Sequence, residues 1–84
     1  MMTPKDIARR IESALPGSRA EVSGADAHFS ATIVSPAFAG KTRIEQHQMI
    51  YALFREEMST QAIHALALRT LTPEQSGKSG GRPS

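Results

Sequence analysis

At 84 residues the chain has room for one small domain. A core of that size buries about 60% of the unfolded surface, so no deep cavity for a large substrate is expected. There is no cysteine, which excludes a disulfide framework and a thiolate metal site of the chain's own. The formal net charge is +2, but Lys78 and Arg82 fall in the C-terminal tail, and the other 8 Lys and Arg balance 8 Asp and Glu. A high pI of that origin argues only weakly for nucleic acid.

Thr3-Pro4-Lys5-Asp6 carries a capping residue, a proline suited to the first helical position and an acid at the capping-box position. Ile7, Ala8, Ile11, Ala14 and Leu15 then mark one apolar helical face, with Lys5, Arg9, Arg10 and Glu12 mostly off it. Arg9-Arg10 reads as a solvated helix face. Pro16-Gly17 ends the helix. Arg19 to Ser23 is a short strand, Gly24-Ala25-Asp26 a turn, and His28 to Val34 an alternating strand with Phe29, Ala31 and Ile33 on one side. Together they predict a hairpin.

Ser35-Pro36 opens a helical turn through Phe38 that Gly40 closes. Thr42-Arg43-Ile44-Glu45 is a capping box and starts a central helix running to Met58. His47, Ile50, Tyr51, Phe54 and Met58 form its apolar stripe, while Gln46, Gln48, Arg55 and Glu56 fall outside it. His47 is thereby expected as a packed, hydrogen-bonded residue rather than a ligand. Ser59-Thr60-Gln61 breaks the pattern, and Ile63 to Leu71 reads as a third strand. Thr72-Pro73-Glu74-Gln75 starts a helix that is not continued, and 76–84, rich in Gly, Ser and basic residues, is expected to be disordered. One domain over 1–75 results.

No apolar run approaches the ~18 residues of a membrane span. The first residues hold no apolar signal-peptide segment, so a soluble cytoplasmic protein is expected. The predicted fold is α+β in the order α-β-β-α-β, a three-stranded mixed sheet with helices on one face. A helix between strands two and three lets them lie parallel. His28 and His64 then start neighbouring strands at the same end of the sheet, where strands lie ~4.8 Å apart. Two imidazoles could thus share one small volume, a donor type that suits iron, zinc or copper. Two ligands do not close a structural site, so a partner would complete it. Hydrogen-bonding surface residues are the plainer reading of both. No nucleophile elbow, phosphate loop or zinc-protease helix is present, and enzymatic activity is not expected.

Val22-Ser-Gly-Ala-Asp-Ala-His28-Phe29, Val34-Ser-Pro-Ala-Phe38-Ala-Gly40-Lys41, Gln46-His47-Gln-Met-Ile-Tyr51, Glu56-Glu57 and Ile63-His64-Ala65-Leu66 occur in this order. In that order and spacing, over roughly Thr3 to Gln75, the chain resembles the BolA-like proteins. The resemblance implies a fold related to class II KH domains and a monothiol glutaredoxin partner. A [2Fe-2S] cluster would be shared with that glutaredoxin and its glutathione, in iron–sulfur trafficking, iron sensing or stress regulation. No cofactor is expected on the isolated chain, which would be a monomer or weak dimer. The family's His in the I/V-H-A-L motif falls on His64, with Ala65 beside it at the partner interface. A second family ligand, His or Cys, lies between the first two strands, where His28 is the candidate here.

The resemblance also implies a second role, as a DNA-binding transcriptional regulator. Its surface would be the Gly40-Lys41-Thr42 turn, with Lys41, Thr42 and Arg43 near phosphate. Three departures weaken that role: no second glycine three residues after Gly40, Gln46 and Gln48 where members often carry Arg, and Ser76 where a Trp often stands.

Overall fold

The computed structural model describes residues 2–80, with side chains described through residue 77. Thr3 opens helix α1 (Pro4–Ala14) through a complete capping box with Asp6. Ile7 and Ile11, one turn apart, are its fully buried residues. Strand β1 (Arg19–Ala25) pairs antiparallel with β2 (His28–Val34), and β2 pairs parallel with β3 (Ala65–Leu71), giving the order β1-β2-β3. The alternation read from β2 is borne out: Phe29, Ala31 and Ile33 are buried, while His28 and Ser30 are exposed. The helix-covered face of the sheet meets α1, helix α2 (Arg43–Leu53) and a 3₁₀ turn (Pro36–Phe38). Ile7, Ile11, Phe29, Ile33, Phe38, Ile50, Phe54, Ile63 and Leu66 form one core there. The α+β fold and its parallel crossover are as the sequence predicts.

Five local readings change. The hairpin turn lies at Asp26-Ala27, with Ala25 opposite His28, not at Gly24 to Asp26. Asp26 and Ala27 have φ of 56° and 67°, the positive pair that a two-residue hairpin turn needs to match strand twist. Gly24 sits inside β1 at φ 133°, and a Cβ there would collide with the His28 carbonyl and come within 2.8 Å of Phe29 Cα. Its glycine serves close strand approach, not the turn.

The central helix is not continuous to Met58. It ends at Leu53, and a short helix α3 (Arg55–Ser59) begins after Phe54, whose φ and ψ are −122° and 23°. The Leu53 carbonyl accepts from the Arg10 guanidinium at 3.0 Å. Arg10 also pairs with Glu57 at 2.8 Å and lies 5.0 Å over the Phe54 ring. Arg9 is exposed as expected, but Arg10 is half-buried and clamps α1 to the α2–α3 break instead of belonging to a solvated face.

Gln46, placed outside the stripe, is buried. Its amide donates to the carbonyls of Phe38 at 3.0 Å and Lys41 at 3.1 Å and accepts from Thr70 Oγ1 at 2.6 Å. A buried amide is tolerated when its groups are paired. At the C-terminal end the helix start at Thr72 continues as α4 (Pro73–Gly80), so 76–80 is helical rather than disordered; 81–84 lies outside the described residues.

Candidate functional site

The parallel register sets His28 opposite Ala65, which leaves His64 one residue before β3 at the same sheet end. Both imidazoles are exposed and stack, with ring centroids 5.6 Å apart and planes 18° from parallel. The juxtaposition expected from the topology is therefore present. Two backbone bonds fix the approach: the amides of His64 and Ala65 both donate to the Ala27 carbonyl, at 2.8 and 3.1 Å. Beneath the pair, Ile63 is buried in the core and anchors the chain that delivers His64.

Each ring is oriented by a neighbour. His28 Nδ1 lies 2.8 Å from the Asp26 carbonyl. A carbonyl only accepts, so Nδ1 carries the proton and the Nε2 lone pair is free. His64 Nε2 lies 2.9 Å from Gln61 Oε1, so Nε2 donates and the Nδ1 lone pair is free. Gln61 holds φ 68°, so the chain turns sharply where it sets the His64 ring. Second partners of this kind raise the basicity of a metal-binding imidazole and fix its tautomer. The sequence reading missed Gln61 and the Asp26 carbonyl; the break after Met58 was the signal that a turn, not a helix, precedes His64.

Among the described residues no group of three or more His, Cys, Asp or Glu side chains converges on one point. The pair is thus an incomplete donor set: two neutral nitrogen ligands and no anionic one. Such a pair could hold a metal only in part, and the remaining ligands would have to come from elsewhere. Beside it, Met2, Asp26, Ala27 and Ala62 line a hollow of about 340 Å³. Ala65 is exposed next to the pair.

The second candidate surface is separate. Lys41, Thr42 and Arg43 are all exposed at the start of α2. The Thr42 hydroxyl accepts from the Glu45 amide at 3.1 Å, and its own amide donates to Glu45 Oε1 at 2.9 Å. Thr42 is therefore engaged in capping, and a carboxylate already occupies the helix N-terminus. Lys41 and Arg43 supply the positive charge there. His47 is half-buried and edge-on to Tyr51 at 6.5 Å; no hydrogen bond to its ring is found among the described residues. No described helix is long and apolar enough to cross a membrane.

Known proteins resemble the chain in sequence and in fold. Over 52 residues, 62% of this chain and 50% of the relative, it is 44% identical to the DNA-binding transcriptional regulator BolA of Haemophilus influenzae. Over 77 residues, 92% of this chain and 53% of the relative, it is 34% identical to BolA-like protein 1 of Pongo abelii. The chain spans about half the length of these curated relatives. The solved structure of a BolA homologue from Coxiella burnetii superimposes with a TM-score of 0.75 at 36% identity, covering 88% of this chain and 95% of that one. The family model for BolA-like proteins matches residues 3–75, which takes in all three strands, the turn that sets His28 and the Ile63–Leu66 segment that carries His64, and the chain belongs to that family.

Proposed function

We propose that this chain supplies the imidazole half of a shared [2Fe-2S] site, with a monothiol glutaredoxin and its glutathione supplying the thiolates. The role would be in iron–sulfur cluster trafficking, iron sensing or stress regulation. The observation that carries this reading is the exposed His28–His64 pair, 5.6 Å apart on a chain without cysteine. When bound, the cluster supplies the redox-active iron. The chain's own residues bind and orient. His64 presents Nδ1 while Gln61 holds Nε2–H, and His28 presents Nε2 while the Asp26 carbonyl holds Nδ1–H. Ligation needs both free lone pairs, so protons compete with iron, and a neutral ligand in place of a thiolate raises cluster potential. A sensor or transfer role suits such a site better than low-potential electron transfer.

The test is a titration of the protein with a glutaredoxin carrying a reconstituted cluster, followed by visible absorption and circular dichroism. Wild type should change the spectra, and His64→Ala should abolish that change. Identical spectra for wild type and His64→Ala would overturn the ligand assignment.

A second reading, DNA-binding regulation through Lys41 and Arg43, is favoured by the name of the Haemophilus influenzae relative and by the exposure of both bases. It requires affinity that falls steeply with salt and a Lys41→Ala slope flatter by about one contact. Absence of duplex binding at low salt would remove it.

A further inference from the structure

Strand β3 is an edge of the sheet, with no strand beyond it among the described residues. Leu71 O accepts from the Ser35 amide at 3.0 Å, and the Ala65 amide donates to Ala27 O, so odd-numbered residues of β3 turn their backbone groups toward the β2 side. Alternation turns those of Leu66, Leu68, Thr70 and Thr72 outward. The ends of that outward row are capped: Leu66 O accepts from the Tyr51 hydroxyl at 2.9 Å, and the Thr72 amide donates to Gln75 Oε1 at 2.9 Å. Between them, among the described residues, the amides and carbonyls of Leu68 and Thr70 have no partner on that side. They open onto a groove of about 390 Å³ lined by Arg43, His47, Leu68, Arg69, Thr70 and Leu71.

We infer that this edge binds an acidic, extended peptide segment of a partner protein as an added strand. Two outward amides and two outward carbonyls match a peptide backbone, which offers both acceptors and donors. A nucleic-acid backbone offers phosphate oxygens that only accept, and these would face the Leu68 and Thr70 carbonyls. Among the described residues no Phe, Tyr or Trp lines the groove as a platform for bases. Charge fixes the side-chain preference: Arg43 and Arg69 flank the groove and no acidic side chain lines it. Pairing with the β3 edge of a second copy would set Arg43 and Arg69 against the same two residues. The opposite edge of the sheet is less open to the same ligand, because the Glu12 carboxylate already takes the Ala20 amide at 3.0 Å. The groove is distinct from the His28–His64 pair, and its test uses metal-free protein.

The full chain, labelled with ¹⁵N, is titrated with a capped hexapeptide of alternating Asp and Val. Amide hydrogen exchange at Leu68 and Thr70 should slow by about tenfold at saturation. A double variant, Arg43→Gln with Arg69→Gln, should weaken binding by about tenfold. The same peptide N-methylated on its ladder-facing amides should lose the protection while keeping its charge. The inference is overturned if Leu68 and Thr70 are not protected, if an alternating Lys and Val peptide binds equally, if N-methylation changes nothing, or if oligothymidylate protects these two amides at lower concentration.

Discussion

His28 and His64 stack as a pair, yet each is set by a different kind of partner, and this gives them opposite tautomers. A backbone carbonyl holds Nδ1–H of His28, and the Gln61 side chain holds Nε2–H of His64. Imidazole ¹⁵N shifts of the neutral protein should show a protonated Nδ1 at His28 and a protonated Nε2 at His64. Gln61→Ala should shift His64 toward a mixture and leave His28 as it was. A His64 signature that Gln61→Ala does not move would mean that Gln61 has no hold on the ring. The turn residue Ala27 is a second point of tension, because an L side chain at φ 67° is disfavoured. Ala27→Gly creates the Asp-Gly pair that such turns prefer and should stabilise the domain by about 1 kcal/mol in urea unfolding. A loss of stability would contradict the assigned turn geometry.

At the scale of elements, β1 and β2 are held close enough that only glycine fits at position 24. The added methyl of Gly24→Ala meets backbone at His28 and Phe29, which cannot swing aside as a flexible side chain could. A cost of about 2–4 kcal/mol is expected from overpacking and the positive φ together. The shift should reach the site, because His28 begins the strand that must move. Chemical shifts of both imidazoles report that displacement, and unchanged shifts with unchanged stability would refute it. The sequence placed a turn at Gly24 because glycine marks both turns and close backbone approach, and composition does not separate the two. The same limit explains the central helix. Its stripe continues past Leu53, but at the break the Leu53 carbonyl is taken by Arg10, a residue forty-three positions earlier. Gln46 was placed outside the stripe because its burial depends on partners in three other segments, which helical periodicity does not register.

For the whole molecule, what was legible was the part that local pattern dictates. Alternation in β2, the two capping boxes and an intervening helix were enough to give the parallel crossover, and that crossover alone brings His28 to His64. Two things were not legible: the rings' hydrogen bonds, which are local but depend on the exact geometry of two turns, and what distant side chains decide, the groove beside β3 and the clamp from α1. That clamp carries a pH signature. The hydrogen bond from Arg10 holds the Glu57 carboxyl below its ordinary range, with the guanidinium's charge assisting. A carboxyl whose folded pKa is depressed stabilises the fold above its unfolded value, about 4.3, and that contribution is lost as pH falls through the folded value. Because the Arg10 side chain is 40% exposed, solvent screens the pair and limits its worth to less than about 1 kcal/mol. Glu57→Gln should therefore be slightly less stable than wild type near neutrality, and the gap should close in strongly acidic solution. Urea unfolding of both proteins at neutral and strongly acidic pH measures this. A gap that persists undiminished in acid would show that Glu57 supports the α2–α3 break through packing rather than through its charge.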